Sequence, residues 1–351
     1  EAAADPALRD AIAGASARLH DRYAAEVSRA RKILASPPAI ARLLDRPRML
    51  VVTDVPFWEP RLGNQARIAA LLAAARGEMG VDVFFAGPLG GASAEAARRV
   101  LGPAGRVFSP HPSDPPAEKP WGLTPFEAAR FDPAIFGALS GQLLRHVPQA
   151  VMIQYLRLSW LRLVPGMPAL TAIDIHDVMS LRQQNFARFG REHFIRIPAA
   201  EELRILSAFA LVLAIQPEEA AWLEALLPGR VLLAPHVVAP MPRAAGSGAA
   251  GPVRVGFLGG GSPMNLDGLL WLLDQAWPAI APLGAELHVA GGICAALAEA
   301  RPGLSAPGLV LHGEVPDQHG FLHGLDLAVN PVFFGGGLKI KTVEYLARGL
   351  P

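Results

Sequence analysis

The sequence predicts an α/β protein of two doubly wound, Rossmann-like domains facing a cleft. Three observations predict it. From Met49 onward, short apolar runs alternate with segments of helix length. The alternation breaks at Met241–Pro252, a stretch of small residues, glycine and proline (MPRAAGSGAAGP). It restarts at Val253 and runs to Pro351. Strands separated by helices of this length indicate parallel βαβ units, and a flexible small-residue stretch between two such series indicates an interdomain linker. The domain organisation expected is a helical lead-in over 1–48, a first domain over 49–240, a linker over 241–252 and a second domain over 253–351.

The lead-in is rich in alanine and arginine, with Leu19, Tyr23, Val27 and Ala30 on one helical stripe until Pro37–Pro38 interrupts it. In the first domain, strands are expected at Met49–Thr53, Val81–Ala86, Arg106–Ser109, Ala150–Tyr155, Ala169–Ile175, Leu211–Ile215 and Val231–Ala234. Helices are expected at Gln65–Ala75, Ser93–Leu101, Ala199–Ala208 and Glu218–Leu226, with Pro125–His146 mostly helical and the proline-rich Pro110–Pro120 a loop. In the second domain, strands are expected at Val253–Leu258, Glu286–Ala290, Leu309–His312 and Leu325–Val329, with a helix at Leu266–Ala276.

Bulk properties exclude several classes. The chain has 351 residues, enough for two domains, and a formal net charge of +1, so no long-range field points to nucleic acid. Hydrophobic residues at 51% against charged ones at 18% favour buried cores over disorder. Cys294 is the single cysteine, which rules out an intramolecular disulfide and fits a reducing compartment. No apolar run has spanning length and no signal peptide is visible, so the expected location is cytoplasmic, either free or peripherally associated at the inner membrane face. The chain opens on Glu1 and stops at Pro351, directly after a helix, where an α/β unit normally enters its next strand. The expectation is a piece of a longer protein, with further domains and an incomplete second sheet.

Four strand ends carry candidate chemistry. The most informative is the last: Asn330-Pro331, then Gly335-Gly336-Gly337-Leu338-Lys339-Ile340-Lys341, with Glu344 one turn on. Glycines let an anion approach the backbone, and a helix N-terminus supplies free N–H groups and the positive end of a dipole. Lys339 and Lys341 add full charge, and Glu344 is suited to a ribose hydroxyl. The second is Gly259-Gly260-Gly261-Ser262-Pro263-Met264-Asn265, between a strand and a helix. Met264 replaces the third glycine of the dinucleotide fingerprint. The loop still offers N–H groups, and Asn265 is either a helix cap or a ligand contact. The third is Asp54–Gln65, where Gly63 and Asn64 precede a helix and form an acceptor or phosphate loop, or an ordinary βα connection. The fourth is Asp174-Ile175-His176-Asp177. His176 is placed to bond a sugar hydroxyl or a reacting oxygen, or is a satisfied structural histidine, and Asp177 is a candidate N-cap. His236, at the domain junction, reads as structural. The sequence holds no HExxH, CxxC, G-x-S-x-G, GxxxxGK[ST] or Asp-x-Asp arrangement, so zinc, α/β-hydrolase, P-loop and metal-dependent sugar-transfer chemistries are unsupported.

From Met49 to the end, the order of these features resembles a retaining glycosyltransferase of the GT-B fold, family 4 (group 1). The most specific element is Asn330-Pro331, Gly337-Leu338-Lys339-Ile340-Lys341, Glu344 and Ala347-Arg348-Gly349-Leu350-Pro351. The resemblance implies a nucleoside diphosphate sugar as donor and a glycan, lipid-linked or other acceptor, with no cofactor and no metal, in a polysaccharide-building role. It implies that Glu344 contacts the donor ribose, that Lys341 or Lys339 faces the diphosphate, that Gly259–Gly261 and Asn265 pass close to the donor with Gly336, Gly337 and Leu338, and that His176 approaches the transferred sugar. Gly63 resembles the glycine of the first acceptor-side loop. The chain departs from the family at Gly336, where many members carry a first glutamate, and in lacking an evident arginine and lysine after the first strand of the second domain. A sugar-nucleotide epimerase of the same architecture and a non-catalytic glycan- or partner-binding domain are the alternatives.

Overall fold

The computed structural model describes residues 47–59, 62–241 and 251–351. The stripe at Leu19, Tyr23, Val27 and Ala30, and most of the linker expected at 241–252, lie outside the described residues. The chain divides into two compact units. One comprises the residues up to His236 with Gly336–Leu338 joined to it; the other comprises Val237–Gly335 with Lys339–Pro351.

In the first unit the elements run β1 (Arg48–Thr53), α1 (Gly63–Glu78), β2 (Gly80–Phe85), α2 (Gly91–Leu101), β3 (Val107–Phe108), α3 (Pro125–Ala128), α4 (Pro133–Arg145), β4 (Ala150–Gln154), a 3-10 helix (Leu156–Leu163), β5 (Leu170–Asp174), α5 (Met179–Arg188), α6 (Ala199–Leu206), β6 (Leu211–Ala214), α7 (Pro217–Leu226) and β7 (Val231–Leu233). The sheet is parallel throughout, in the order β3-β2-β1-β4-β5-β6-β7. Side chains alternate between faces with period two. Leu50 and Val52 of β1 join a core with Phe84, Val151, Ile153, Ile173, Trp160 and Phe209. Met49 and Val51 join a second core with Ile68, Leu72, Val83 and Leu101. Both faces of β1 are therefore covered, which is why this strand is a continuous apolar run. The strand order reverses between β1 and β4, and ligands of open α/β sheets bind beyond the strand C-termini at such a point.

The second unit runs β8 (Val253–Leu258), α8 (Pro263–Trp271), a π-helical turn (Leu272–Ala276), α9 (Trp277–Ile280), β9 (Ala285–Ala290), α10 (Ile293–Ala300), β10 (Leu309–Gly313), α11 (Gln318–His323), β11 (Leu327–Ala328) and α12 (Ile340–Ala347). Its sheet is parallel in the order β10-β9-β8-β11. Val255 and Phe257 pack with Leu269, Trp277, Leu287, Val289 and Leu297 on one side. Leu258 meets Leu322, Leu325, Tyr345 and Leu350 in a further cluster.

Several elements differ from the sequence expectation. Pro125–His146 is two helices, because Asp132 caps a new start at Pro133 and accepts hydrogen bonds from the Ala134 and Ile135 N–H groups. The helix expected at Leu266–Ala276 begins earlier, at Pro263, and gives way to the π turn after Trp271. The strand expected at Leu325–Val329 contracts to two residues paired with Val255 and Gly256. Among the described residues, no helix is long and apolar enough to cross a membrane.

Candidate functional site

In the second unit, the loop after β8 and the N-terminus of α12 build one constellation. Gly259 donates its N–H to Ala290 O (3.0 Å) and accepts from Ile293 N–H (3.0 Å). Its N–H and C=O therefore hold the β8 and β9 loops together. Gly291, at φ +94°, makes the close approach possible, because a Cβ there would overlap Gly259 O. Gly260 and Gly261 N–H have no backbone partner among the described residues, and α8 starts immediately after them with Ser262 as an N-cap that makes no side-chain bond. Asn265 is not the cap. Its Nδ2 donates to Gly260 O (2.8 Å) and its Oδ1 accepts from Lys341 Nζ (2.6 Å).

Lys341 sits in the first turn of α12, with Lys339 as its N-cap residue. The ammonium also lies 4.5 Å from the centre of the Phe257 ring. Burial, and secondarily the charge of Lys339, push its pKa down to about 7. A partly buried ammonium beside a second lysine, at a helix N-terminus, concentrates positive charge at one spot. Glu344 lies on the same helix, and its carboxyl is raised by burial, with Arg348 opposing. Tyr345 Oη accepts from Leu258 N–H (3.1 Å), tying α12 to the end of β8, and Asn330 Nδ2 donates to Thr342 Oγ1 (2.8 Å).

In the first unit a second constellation forms at the C-terminal ends of β1, β4 and β5. Arg67 of α1 and Asp174 of β5 make a bidentate pair (2.9 and 3.1 Å) with both side chains fully buried. Burial raises the Asp174 carboxyl, but the Arg67 charge and bonds more than offset it, so it sits below its ordinary value. His176 is 5% exposed and takes φ +58°. Its Nε2 lies 2.8 Å from Gln154 Oε1, an acceptor, so Nε2 carries the proton and Nδ1 keeps the lone pair. Burial pushes its pKa down to about 4, and it is neutral at physiological pH. The ring stacks on Tyr155 (3.9 Å, 10°). Arg157 lies over the Tyr155 ring and forms a bidentate pair with Asp54 (2.7 and 2.5 Å). Gly63 is the first residue of α1.

Asp177 is not the cap of α5. That position is Val178, and the Met179 and Ser180 N–H groups are accepted by Glu202 of α6 (2.7 and 2.8 Å), while Asp177 pairs with Arg182 (2.5 Å). Gly336, Gly337 and Leu338 belong to the first unit, with Gly337 at φ +63°. The residues that sequence reasoning overlooked are Tyr155, Arg157, Gln154 and Arg67, and with Arg67 its pairing to Asp174. One signal for the last was present: an arginine beside the buried Ile68 and an aspartate at the end of a buried strand need each other.

Residues 252–351 match the family described as glycosyl transferases group 1. No curated protein sequence matches the chain. Among solved structures, the sucrose-phosphate synthase of Thermosynechococcus elongatus superposes with a TM-score of 0.58 at 15% identity, over 87% of this chain and 80% of that one. TarM gives 0.56 at 7% identity, over 88% and 84%. Phytolacca americana UGT2, complexed with UDP-2-fluoro-glucose and pterostilbene, gives 0.50 at 12% identity, over 87% and 79%. The fold is that of the GT-B glycosyltransferases, with two Rossmann-like units in one chain.

Proposed function

We propose that the protein is a glycosyltransferase that moves a sugar from a nucleoside diphosphate sugar to a glycan, lipid-linked or other acceptor, with retention and without a metal ion. The observation that carries this reading is the Lys341 ammonium, desolvated and held by Asn265 at the mouth of the glycine loop. The leaving group of such a reaction is a nucleoside diphosphate, so the main catalytic need is to stabilise the charge developing on it. Preorganised cations and helix N–H groups meet that need in a water-poor site. Lys341, with Lys339 beside it, takes the diphosphate. Gly260 and Gly261 offer their N–H groups, and Glu344 takes the ribose hydroxyls. The match of residues 252–351 to the group 1 family supports this assignment of the donor to the second unit.

His176 contributes from the first unit as a neutral imidazole, with Nδ1 accepting a hydrogen bond from a hydroxyl of the transferred sugar. Gly63 and Asn64, at the start of α1, belong to the acceptor side. The protein works in the cytoplasm, with peripheral contact to a membrane when the acceptor is lipid-linked.

A panel of ADP-, GDP- and UDP-sugars, screened for thermal stabilisation, tests the reading. A donor at a hundred times its dissociation constant adds about 2.7 kcal/mol. With the stabilising donor, Lys341→Ala is expected to lower turnover about a hundredfold, the order found on losing one oxyanion donor. Unchanged turnover in that variant removes the diphosphate assignment.

A further inference from the structure

Tyr155 and His176 are the two non-glycine residues with positive φ among the described residues, at +71° and +58°. They directly follow Gln154 and, two residues on, Asp174, which pair across the neighbouring strands β4 and β5 at the C-terminal edge of the sheet. Side-chain-bearing residues seldom take this conformation, and it persists only where the surroundings over-determine it. Here both distortions bring two rings face to face at 3.9 Å.

The hydrogen bond from Nε2 to Gln154 fixes one edge of the His176 ring but leaves it free to pivot about that contact. The stacked Tyr155 ring removes the pivot. Tyr155 is itself clamped across its ring by Arg157, which Asp54 holds in turn. The phenol is pushed up to about 12, chiefly by burial, so it neither gives nor takes a proton at neutral pH, and its contribution is geometric.

We propose that Tyr155 is a positioning residue for the transfer reaction, setting the plane of His176 and hence the direction in which Nδ1 meets the transferred sugar. This rests on the role given to His176 above. The loop after β1, through Asp54 and Arg157, then reaches His176 without touching it.

The test compares Tyr155→Phe, Tyr155→Leu, Arg157→Gln and His176→Ala in the whole protein. Turnover is read as nucleoside diphosphate release from whichever of the ADP-, GDP- and UDP-sugars stabilises the fold. The His176 ring protons are followed by NMR in histidine-labelled protein. Tyr155→Phe keeps the stack and is expected to retain turnover. Tyr155→Leu is expected to lower kcat by about a hundredfold, the order of a roughly 1 Å misplacement, with the donor KM unchanged and the His176 resonances displaced. Should Tyr155→Leu not fold, Arg157→Gln still loosens the ring, and is expected to shift the same resonances and lower kcat. Full turnover in Tyr155→Leu or Arg157→Gln with an inactive His176→Ala overturns this inference alone. Full turnover in His176→Ala overturns the role of His176 and the inference with it.

Discussion

The Lys341 ammonium donates to the Asn265 side-chain oxygen at 2.6 Å, across 76 residues of sequence, while the Asn265 amide holds Gly260 O at 2.8 Å. One neutral side chain therefore ties the cation of α12 to the glycine loop after β8. Its neutrality matters. A carboxylate of the same shape would satisfy the ammonium but repel a diphosphate arriving at it.

Asn265→Asp is the direct consequence. The fold is expected to be retained, because the bond to Lys341 becomes an ion pair. The Gly260 contact is lost, and nucleoside diphosphate affinity is expected to fall at least tenfold, about 1.4 kcal/mol. Calorimetric titration with UDP, GDP and ADP checks this. Equal affinity in parent and variant would separate Asn265 from the anion site.

The depressed Lys341 pKa makes a pH-dependent statement about stability. Folded, the group titrates near 7, against an ordinary value of 10.5. Between those values the unfolded chain binds a proton that the folded chain does not, so this group makes stability rise with pH across that window. Below about pH 7 the penalty is fully present. At about 1.4 kcal/mol per unit, the penalty is of the order of a few kcal/mol. Lys341→Met removes it. The variant is expected to be more stable than the parent at pH 6, with the difference shrinking towards pH 10. Urea titrations across that range decide the matter, and a difference that ignores pH would mean that the lysine is not desolvated.

Gly291 tests the backbone side of the same loop. Its φ of +94° is unfavourable for any side chain, and a Cβ would also overlap Gly259 O. Gly303 provides the control, at φ +74° with open space around it. Both alanine variants carry the conformational strain, about 1–3 kcal/mol, but only Gly291→Ala adds the steric overlap. It is expected to be clearly the less stable in denaturant unfolding and to lose nucleotide affinity, whereas Gly303→Ala keeps it.

The parts of this fold legible in the sequence are those that burial dictates. Val253–Leu258 is a strand whose Val255 and Phe257 fill one core, and His176 was placeable at a strand end because Leu170, Ala172, Ile173 and Ile175 precede it. The site was legible only as residue types. Lys341 and Asn265 each stood out, but nothing in their local sequence says that they touch. Gly259 looked like an anion loop, yet its N–H is used by Ala290. Tyr155 was invisible because its role comes from a left-handed backbone conformation, which no periodicity announces. Asp177 had the chemistry of a cap, but Glu202, from another helix, reaches the free N–H groups of α5 first.

The fully buried Arg67–Asp174 pair is the framework under the constellation of the first unit, joining α1 to the end of β5 two residues before His176. The desolvation of two charges offsets much of their attraction, so the pair need not stabilise the fold by a large net amount, but removing one member strands the other in the interior. Arg67→Met alone or Asp174→Leu alone is expected to cost about 3–5 kcal/mol. The double variant replaces both charges by apolar groups and is expected to recover most of that loss. Denaturant unfolding of the four proteins closes the cycle. Additive losses in the double variant would mean that the two side chains do not depend on each other. Recovery of stability without recovery of turnover would separate their second role, which is to hold α1 and the His176 turn in register.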